Sequence, residues 1–301
     1  MKDRRITWYL VLSFSLSWAI ALAFALTGAA WNSTVGLLAA TAYMFMPAVA
    51  AIALQRKVDR EPVRALGVSF SLNRWYGVAW LLPPVLAAAA CGIALLIPGV
   101  SWSPGLEGMI ERYRNSLTPE QVEQLRSQMA ALRVHPFFLG LAQGLIAGAT
   151  VNAVAGFGEE IGWRGYLFKL LAPLGFWRMS LATGLIWGAW HAPLIVMGHN
   201  YPQHPHIGIG MMIAWCVLLS PLFTYIRIRS GSVIAVSILH GTLNGTAGLA
   251  ILLLAGGSDL TIGLTGAAGF IALIFANAAM VIHDRRFSGA PVTAGNRAIT
   301  A

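Results

Sequence analysis

Residues 158–167 read GEEIGWRGYL and follow a long uncharged run, LGLAQGLIAGATVNAVAGF. Two adjacent glutamates and an arginine at the end of such a run demand a reason. An ionisable group inside a bilayer costs about 2.5–3.5 kcal/mol even on the lenient insertion scale. Glu160 and Arg164 are four residues apart, so they share a helix face and can form an ion pair. Glu159 points about 100° away and stays available. Two further apolar stretches carry polar groups: GLIWGAWHAPL holds His191, and SVIAVSILHGTLNG holds His240 with Asn244 on the same face. A carboxylate in a partly dry site is a competent general base for water, and His191 can share that water or pass its proton to a leaving amine. His240 and Asn244 are donors suited to a developing oxyanion. The set describes hydrolysis of a carbonyl compound, most simply a peptide bond, with no Ser or Cys nucleophile.

The elements that must position these groups follow from composition. Of 301 residues, 57% are hydrophobic and only 10% charged, with a mean hydropathy of +0.69. Soluble domains carry about 25% charged residues, so the chain reads as a membrane protein. Apolar windows at 8–28, 34–54, 76–99, 137–157, 179–198, 208–226, 232–255 and 261–282 give about eight spans of bilayer length. The expectation is an all-α polytopic bundle of about eight transmembrane helices, one domain over residues 1–301 with its motif core at about 137–255. The fourth helix should continue past the glutamates to about Leu171, stopped by Pro173 and Gly175. Glu159 then lies roughly 15 Å from the cytoplasmic end at about 1.5 Å per residue. His191, His240 and Asn244 fall at overlapping depths.

The net charge of +9 is a topology signal and not a nucleic-acid footprint. With the amino terminus inside and the spans alternating, only Arg112, Arg114, Arg126 and Arg133 fall outside, in a loop where Glu107, Glu111, Glu120 and Glu123 offset them. Every other Lys and Arg lies inside, as cytoplasmic loops require. Both termini are expected in the cytoplasm, the protein in the cell membrane, and the site opening toward the cytoplasm. The first apolar run is too long for a signal peptide and reads as a retained helix. Cys91 and Cys216 lie mid-span and offer neither a disulfide framework nor a cysteine zinc site.

The outside loop, residues 100–136, carries a helix signature. Thr118 caps, Pro119 fits the first turn, Gln121 completes a capping box, and Val122, Leu125, Met129 and Leu132 mark an apolar face. Glycines four apart recur on the motif helices: Gly144 with Gly148, Gly158 with Gly162, Gly184 with Gly188, and Gly241 with Gly245. Small residues at that spacing let helix backbones approach closely. Pro47, Pro83, Pro84 and Pro221 interrupt spans as packing bends. Tryptophans mostly flank spans, but Trp163, Trp187 and Trp190 lie near the motifs and are candidates for a substrate groove.

Three motifs, in order and on separate spans, carry a resemblance. EEIGWR fits EExxxR, HGTLN fits HxxxN, and WGAWH stands where FxxxH is usual. The chain resembles the family of CAAX-processing and bacteriocin-processing membrane endopeptidases, which includes the type II CAAX prenyl endopeptidases. The resemblance implies that Glu159 and His191 activate water, that Glu160 and Arg164 structure the site, and that His240 and Asn244 stabilise the tetrahedral intermediate. Trp187 replaces the usual phenylalanine, adding bulk and an N–H beside His191. No cofactor is expected, and the substrate is a membrane-associated or lipidated, CAAX-like protein or peptide.

Rival readings remain open on sequence. Glu159, His191 and His240 could instead hold zinc with a water position free, although HExxH is absent. The same buried groups could serve a transporter, or the chain could be a non-catalytic scaffold or immunity partner. His199, His204 and His206 form a histidine-rich loop read as solvated.

Overall fold

The computed structural model describes residues 2–31, 33–105, 107–112 and 118–294; Arg114 and Arg297, assigned sides above, lie outside them. Helices dominate: α1 (Lys2–Thr27), α2 (Thr34–Lys57), α3 (Arg74–Ala94), α4 (Glu107–Arg112), α5 (Pro119–Ala130), α6 (Pro136–Ala149) and α7 (Val151–Glu160). A π-helical turn at Ile161–Leu167 leads into α8 (Phe168–Leu171). Then come α9 (Phe176–Trp190), α10 (Ala192–Val196), α11 (Pro205–Ser230), α12 (Val233–Thr246) and α13 (Ala267–Phe287). Six of these elements are long and apolar enough to cross a membrane, and the bent α6–α7 pair makes a seventh. All eight apolar windows fall on helices, but the fifth yields only the 15-residue α9 and the short α10.

Two helices expected to be continuous are broken. α6 and α7 meet at 51°, with Thr150 at φ −126°, ψ −102°. The fifth window breaks at His191, which closes α9 just before Pro193. Proline has no N–H to donate back to the preceding turn, so the α9 ladder ends there. The loop helix forms as its signature predicts: the reciprocal capping box of Thr118 and Gln121 is present. Val122, Leu125 and Met129 are its less exposed positions, whereas Leu132 lies beyond its end.

The glycine pairs are where helices touch. A Cβ on Gly144 would lie 2.4 Å from the Gly245 carbonyl oxygen, and one on Gly241 2.5 Å from the Ala153 nitrogen. These contacts clamp α12 against α6 and α7. Gly158 and Gly162 receive α2 at Met44, Phe45 and Pro47, while Gly184 and Gly188 receive α11 at Val217 and Ile213. A methyl group at any of these positions would have to push a backbone aside, which is why the motif helices lie so close.

The two ends of the bundle are built differently. At one end lie the start of α1, the 58–73 connection, the α8–α9 turn, the α11–α12 turn and the end of α13. Ion pairs fasten it: Arg5 to Asp59 at 2.8 Å, Lys169 to Asp59 at 3.3 Å and to Glu61 at 2.5 Å, and Arg229 to Asp284. The opposite end is held by neutral contacts and few charges. Strand β1 (Ser101–Trp102) pairs antiparallel with β2 (Leu254–Ala255). Trp31 Nε1 donates to the Met197 carbonyl at 3.1 Å and Tyr201 Oη to that of Thr265 at 2.8 Å.

Candidate active site

The motif residues converge where α7 passes into its π-helical turn, beside the end of α9 and the middle of α12. Glu159, Glu160, Arg164, His191 and His240 are all buried. Glu160 is the hub. Its Oε1 accepts from Arg164 Nη1 at 3.2 Å and faces His240 Nδ1 at 2.7 Å. Arg164 lies between the rings of Trp187 and Phe223, 4.5 and 4.6 Å from their centroids. Flat aromatic faces suit a guanidinium whose edge is already paired. The expected Glu160–Arg164 pair therefore forms, and it also orients His240.

Glu159 is held differently. Trp187 Nε1 donates to its Oε2 at 2.8 Å, and His240 Nε2 stands 3.8 Å from its Oε1. The tryptophan in the position usual for phenylalanine thus supplies a hydrogen bond to the carboxylate that a phenyl ring cannot. The Trp187 carbonyl meets His191 Nδ1 at 2.8 Å. Since a carbonyl only accepts, Nδ1 carries the proton and a neutral ring leaves the Nε2 lone pair free. His240 likewise donates from Nδ1 to Glu160 Oε1, and its protonated form carries a second N–H at Nε2 on the Glu159 side, 3.8 Å away and beyond hydrogen-bond reach.

Glu159, His191, His240 and Asn244 line one cavity of about 730 Å³. Trp187 and Trp190 line it too, as the groove reading expects. Trp163 does not: it sits fully buried, edge-on to Trp190 and Tyr9 with centroids 5.7 Å away from each. Tyr43, Trp31 and Trp215 also line the cavity. Nothing in the sequence singles them out, because an aromatic residue in an apolar span looks like packing until its neighbours are known. Tyr43 Oη donates to the Trp190 carbonyl, its ring tilted 43° to that indole with centroids 4.3 Å apart.

The cavity opens at the end of the bundle opposite the two described chain ends, so a cytoplasmic opening and cytoplasmic termini cannot both hold. Its mouth residues are Trp31, Ser33, Thr34, His199, Asn200 and Thr265, all at the end away from the described start of α1 and end of α13. Toward the ion-paired end the site is closed by Trp163, Arg164, Tyr166 and Leu167, each buried, with Leu66 against Gly165. Arg227 locks this floor, donating from Nε to the Arg164 carbonyl at 3.0 Å and from Nη2 to that of Leu66 at 3.5 Å.

Among the described residues no three His, Cys, Asp or Glu side chains group closely enough to hold a metal ion. Glu159, His191 and His240 surround one cavity without forming such a cage. The loop histidines scatter likewise: His199 packs on Trp31, His204 Nδ1 pairs with Asp259 at 2.6 Å, and His206 is exposed.

Residues 141–246 match the family described as type II CAAX prenyl endopeptidase, Rce1-like. A curated relative, CAAX prenyl protease 2 of Methanococcus maripaludis, is 29% identical over 134 residues, which is 42% of this chain and 46% of the relative. The match therefore spans about half the length of that relative. All three motifs, and every residue that meets at Glu160, fall inside the stretch 141–246 that is similar to the Rce1-like type II CAAX prenyl endopeptidases.

Proposed function

We propose that this protein is an intramembrane endopeptidase that hydrolyses a peptide bond of a membrane-associated polypeptide with a water activated by Glu159. The observation that carries the reading is the position of Glu159. It is fixed by the Trp187 N–H, 3.8 Å from His240 Nε2, on a closed-ended cavity that also presents His191 and Asn244. Glu159 takes one proton from the water as its oxygen bonds to the substrate carbonyl carbon. His191 Nε2 accepts a hydrogen bond from the same water and steadies it. The oxyanion is met by His240 Nε2–H and the Asn244 amide. Collapse breaks the C–N bond, and the proton held by Glu159 passes to the leaving amine, so the carboxylate is regenerated. Glu160 and Arg164 act through His240, holding its ring to one orientation.

The motif side chains are buried, so these donors act at a lower dielectric than they would in water. The substrate reading follows from the relative's name: a lipidated, CAAX-like peptide is the first to try, because its chain can lie in the bilayer while the peptide enters the cavity. The zinc version would need donors closer together than they stand here, and no step is routed through a metal.

The test is cleavage of a fluorogenic farnesylated CAAX peptide by detergent-purified protein. Wild type is run beside Glu159→Ala and His191→Ala, with and without a strong chelator. The expected result is activity that resists chelation and falls at least a hundredfold in Glu159→Ala, the scale of a lost general base. Activity lost to chelation and restored by zinc would make the same residues metal ligands. A folded Glu159→Ala protein with full cellular function would leave the scaffold reading standing.

A further inference from the structure

We infer that the active-site cavity opens on the extracytoplasmic side of the membrane and takes an extended, uncharged peptide segment presented at that surface. The inference rests on the peptidase reading for its substrate, but its geometry stands on two independent observations. The first is the direction of the cavity. From Glu159 it runs past Tyr43, Trp190 and Asn244 to Trp31, Thr34 and Asn200 at the α1–α2 and α10–α11 connections. In the other direction the floor of buried residues around Arg164, locked by Arg227, leaves no passage.

The second observation is charge. The exposed cations Arg4, Arg56, Lys57, Arg60, Arg64, Arg74, Arg178, Arg285 and Arg286 all stand at the closed end. At the open end the described cations with a placed side chain are Arg126, paired with Glu107 at 3.2 Å, and Arg133. Connections rich in Lys and Arg stay on the cytoplasmic side during insertion. The exposed cations also match the anionic surface of that leaflet. The closed end is therefore cytoplasmic and the mouth faces out.

The lining gives the substrate class. No lysine or arginine is among the described residues that form it, and Glu159 is its one acid. The walls are indole and phenol rings with hydroxyl and amide groups between them. A negatively charged chain end finds no lysine or arginine there, whereas an extended stretch of apolar and neutral residues finds aromatic faces and hydrogen-bonding edges. The cut would thus fall inside an exported or membrane-embedded polypeptide, on its outer side.

The experiment uses the full chain in cell membranes. Thr34→Cys places a thiol at the mouth and Ser71→Cys one at the basic end; both positions are exposed, while native Cys91 and Cys216 are buried. Each variant is treated with a membrane-impermeant maleimide in right-side-out and in inverted vesicles, and an uncharged fluorogenic peptide is added to the same preparations. We expect Thr34→Cys to label at least tenfold faster in right-side-out vesicles, Ser71→Cys in inverted ones, and cleavage to follow Thr34→Cys. The opposite labelling pattern overturns the inference whatever the cleavage result. Cleavage confined to inverted vesicles does so as well. Labelling as expected with no cleavage on either side keeps the outward mouth and overturns the uncharged-peptide half, while the peptidase reading beneath stands or falls with cleavage of the farnesylated CAAX peptide.

Discussion

The two ends of this bundle solve opposite problems with different chemistry. At the basic end, carboxylates and cations from separate connections are tied together: Asp59 alone receives Arg5 and Lys169, and Asp284 receives Arg229 and the Thr293 backbone. Below them Arg227 and Leu66 close over the π-helical turn. At the other end the contacts are mostly hydrogen bonds and a short strand pair, with His204 on Asp259 and the exposed Arg126 on Glu107 the charged exceptions, and the cavity passes between them. Sealing thus falls to fixed charge, and access to neutral aromatic walls. Ion pairs need both partners held in place, whereas a mouth that admits a peptide must leave its walls unpaired. Glu160 and Arg164 lie on the boundary and serve both sides.

The largest effect should come from that boundary. Glu160→Ala would strand Arg164 without its partner in a buried site, a change that costs about 3–5 kcal/mol when one half of a buried pair is lost. We expect loss of folded yield or a large drop in thermal midpoint, read by fluorescence-detected unfolding in detergent. A stable Glu160→Ala protein would mean that the closed end does not depend on the hub. Trp187→Phe is the complementary cut, on the cavity side. A phenyl ring still faces Arg164, but the N–H to Glu159 and the extra bulk of the buried indole are lost. A hydrogen bond to a charged group is worth about 1.5–3 kcal/mol. We therefore expect kcat to fall about tenfold or more, with KM little changed and a modest fall in thermal midpoint from the volume removed. A drop in stability with kcat preserved would make Trp187 a packing residue.

Arg227→Ala tests the seal. It leaves the Arg164 and Leu66 carbonyls short of a donor, costing about 1–3 kcal/mol, and it should expose the floor to a soluble thiol reagent in a Leu66→Cys background. Unchanged protection there would show that Arg227 does not close the basic end. The smallest effect belongs to the surface of that end. Lys169 holds Glu61 below the ordinary glutamate value of 4.5. The pair's contribution is therefore complete above that value and is lost as pH falls through the lowered one. Because Glu61 is 45% exposed, screening limits its share to less than about 0.5 kcal/mol. Glu61→Gln should lower the thermal midpoint slightly at pH 7, and by less as the pH is taken progressively below the ordinary glutamate value. A large shift at pH 7 would mark the ion-paired shell as a major source of stability.

Much of the bundle was legible because hydrophobic length and small-residue spacing are local properties. The eight apolar windows, the Thr118 capping box and the four glycine pairs all lie where the chain's own periodicity puts them. The ion pair of Glu160 with Arg164 was equally readable from its four-residue spacing. The breaks at Thr150 and His191 were not, since the fourth window carries no proline there, and Pro193 marks only a weakening of the helix that packing then exploits. The groove residues divided in the same way. Trp187 and Trp190, next to the motif histidine, reach the cavity; Trp163, equally close in sequence to Arg164, points into the core behind it.

What the sequence determined by itself was the kind of molecule and the cast of its site: membrane length, cationic asymmetry, and Glu159, Glu160, Arg164, His191, His240 and Asn244 on three separate helices. Charge and hydropathy act on each segment independently as it meets the bilayer, so they can be read one segment at a time. Only the tertiary structure decided which end of the bundle is open, that His240 is shared between two carboxylates, and that Trp187 grips Glu159 through its N–H. Those outcomes depend on how α2, α7, α9, α11 and α12 crowd against one another, and close packing among distant segments leaves no trace in the spacing of any one of them.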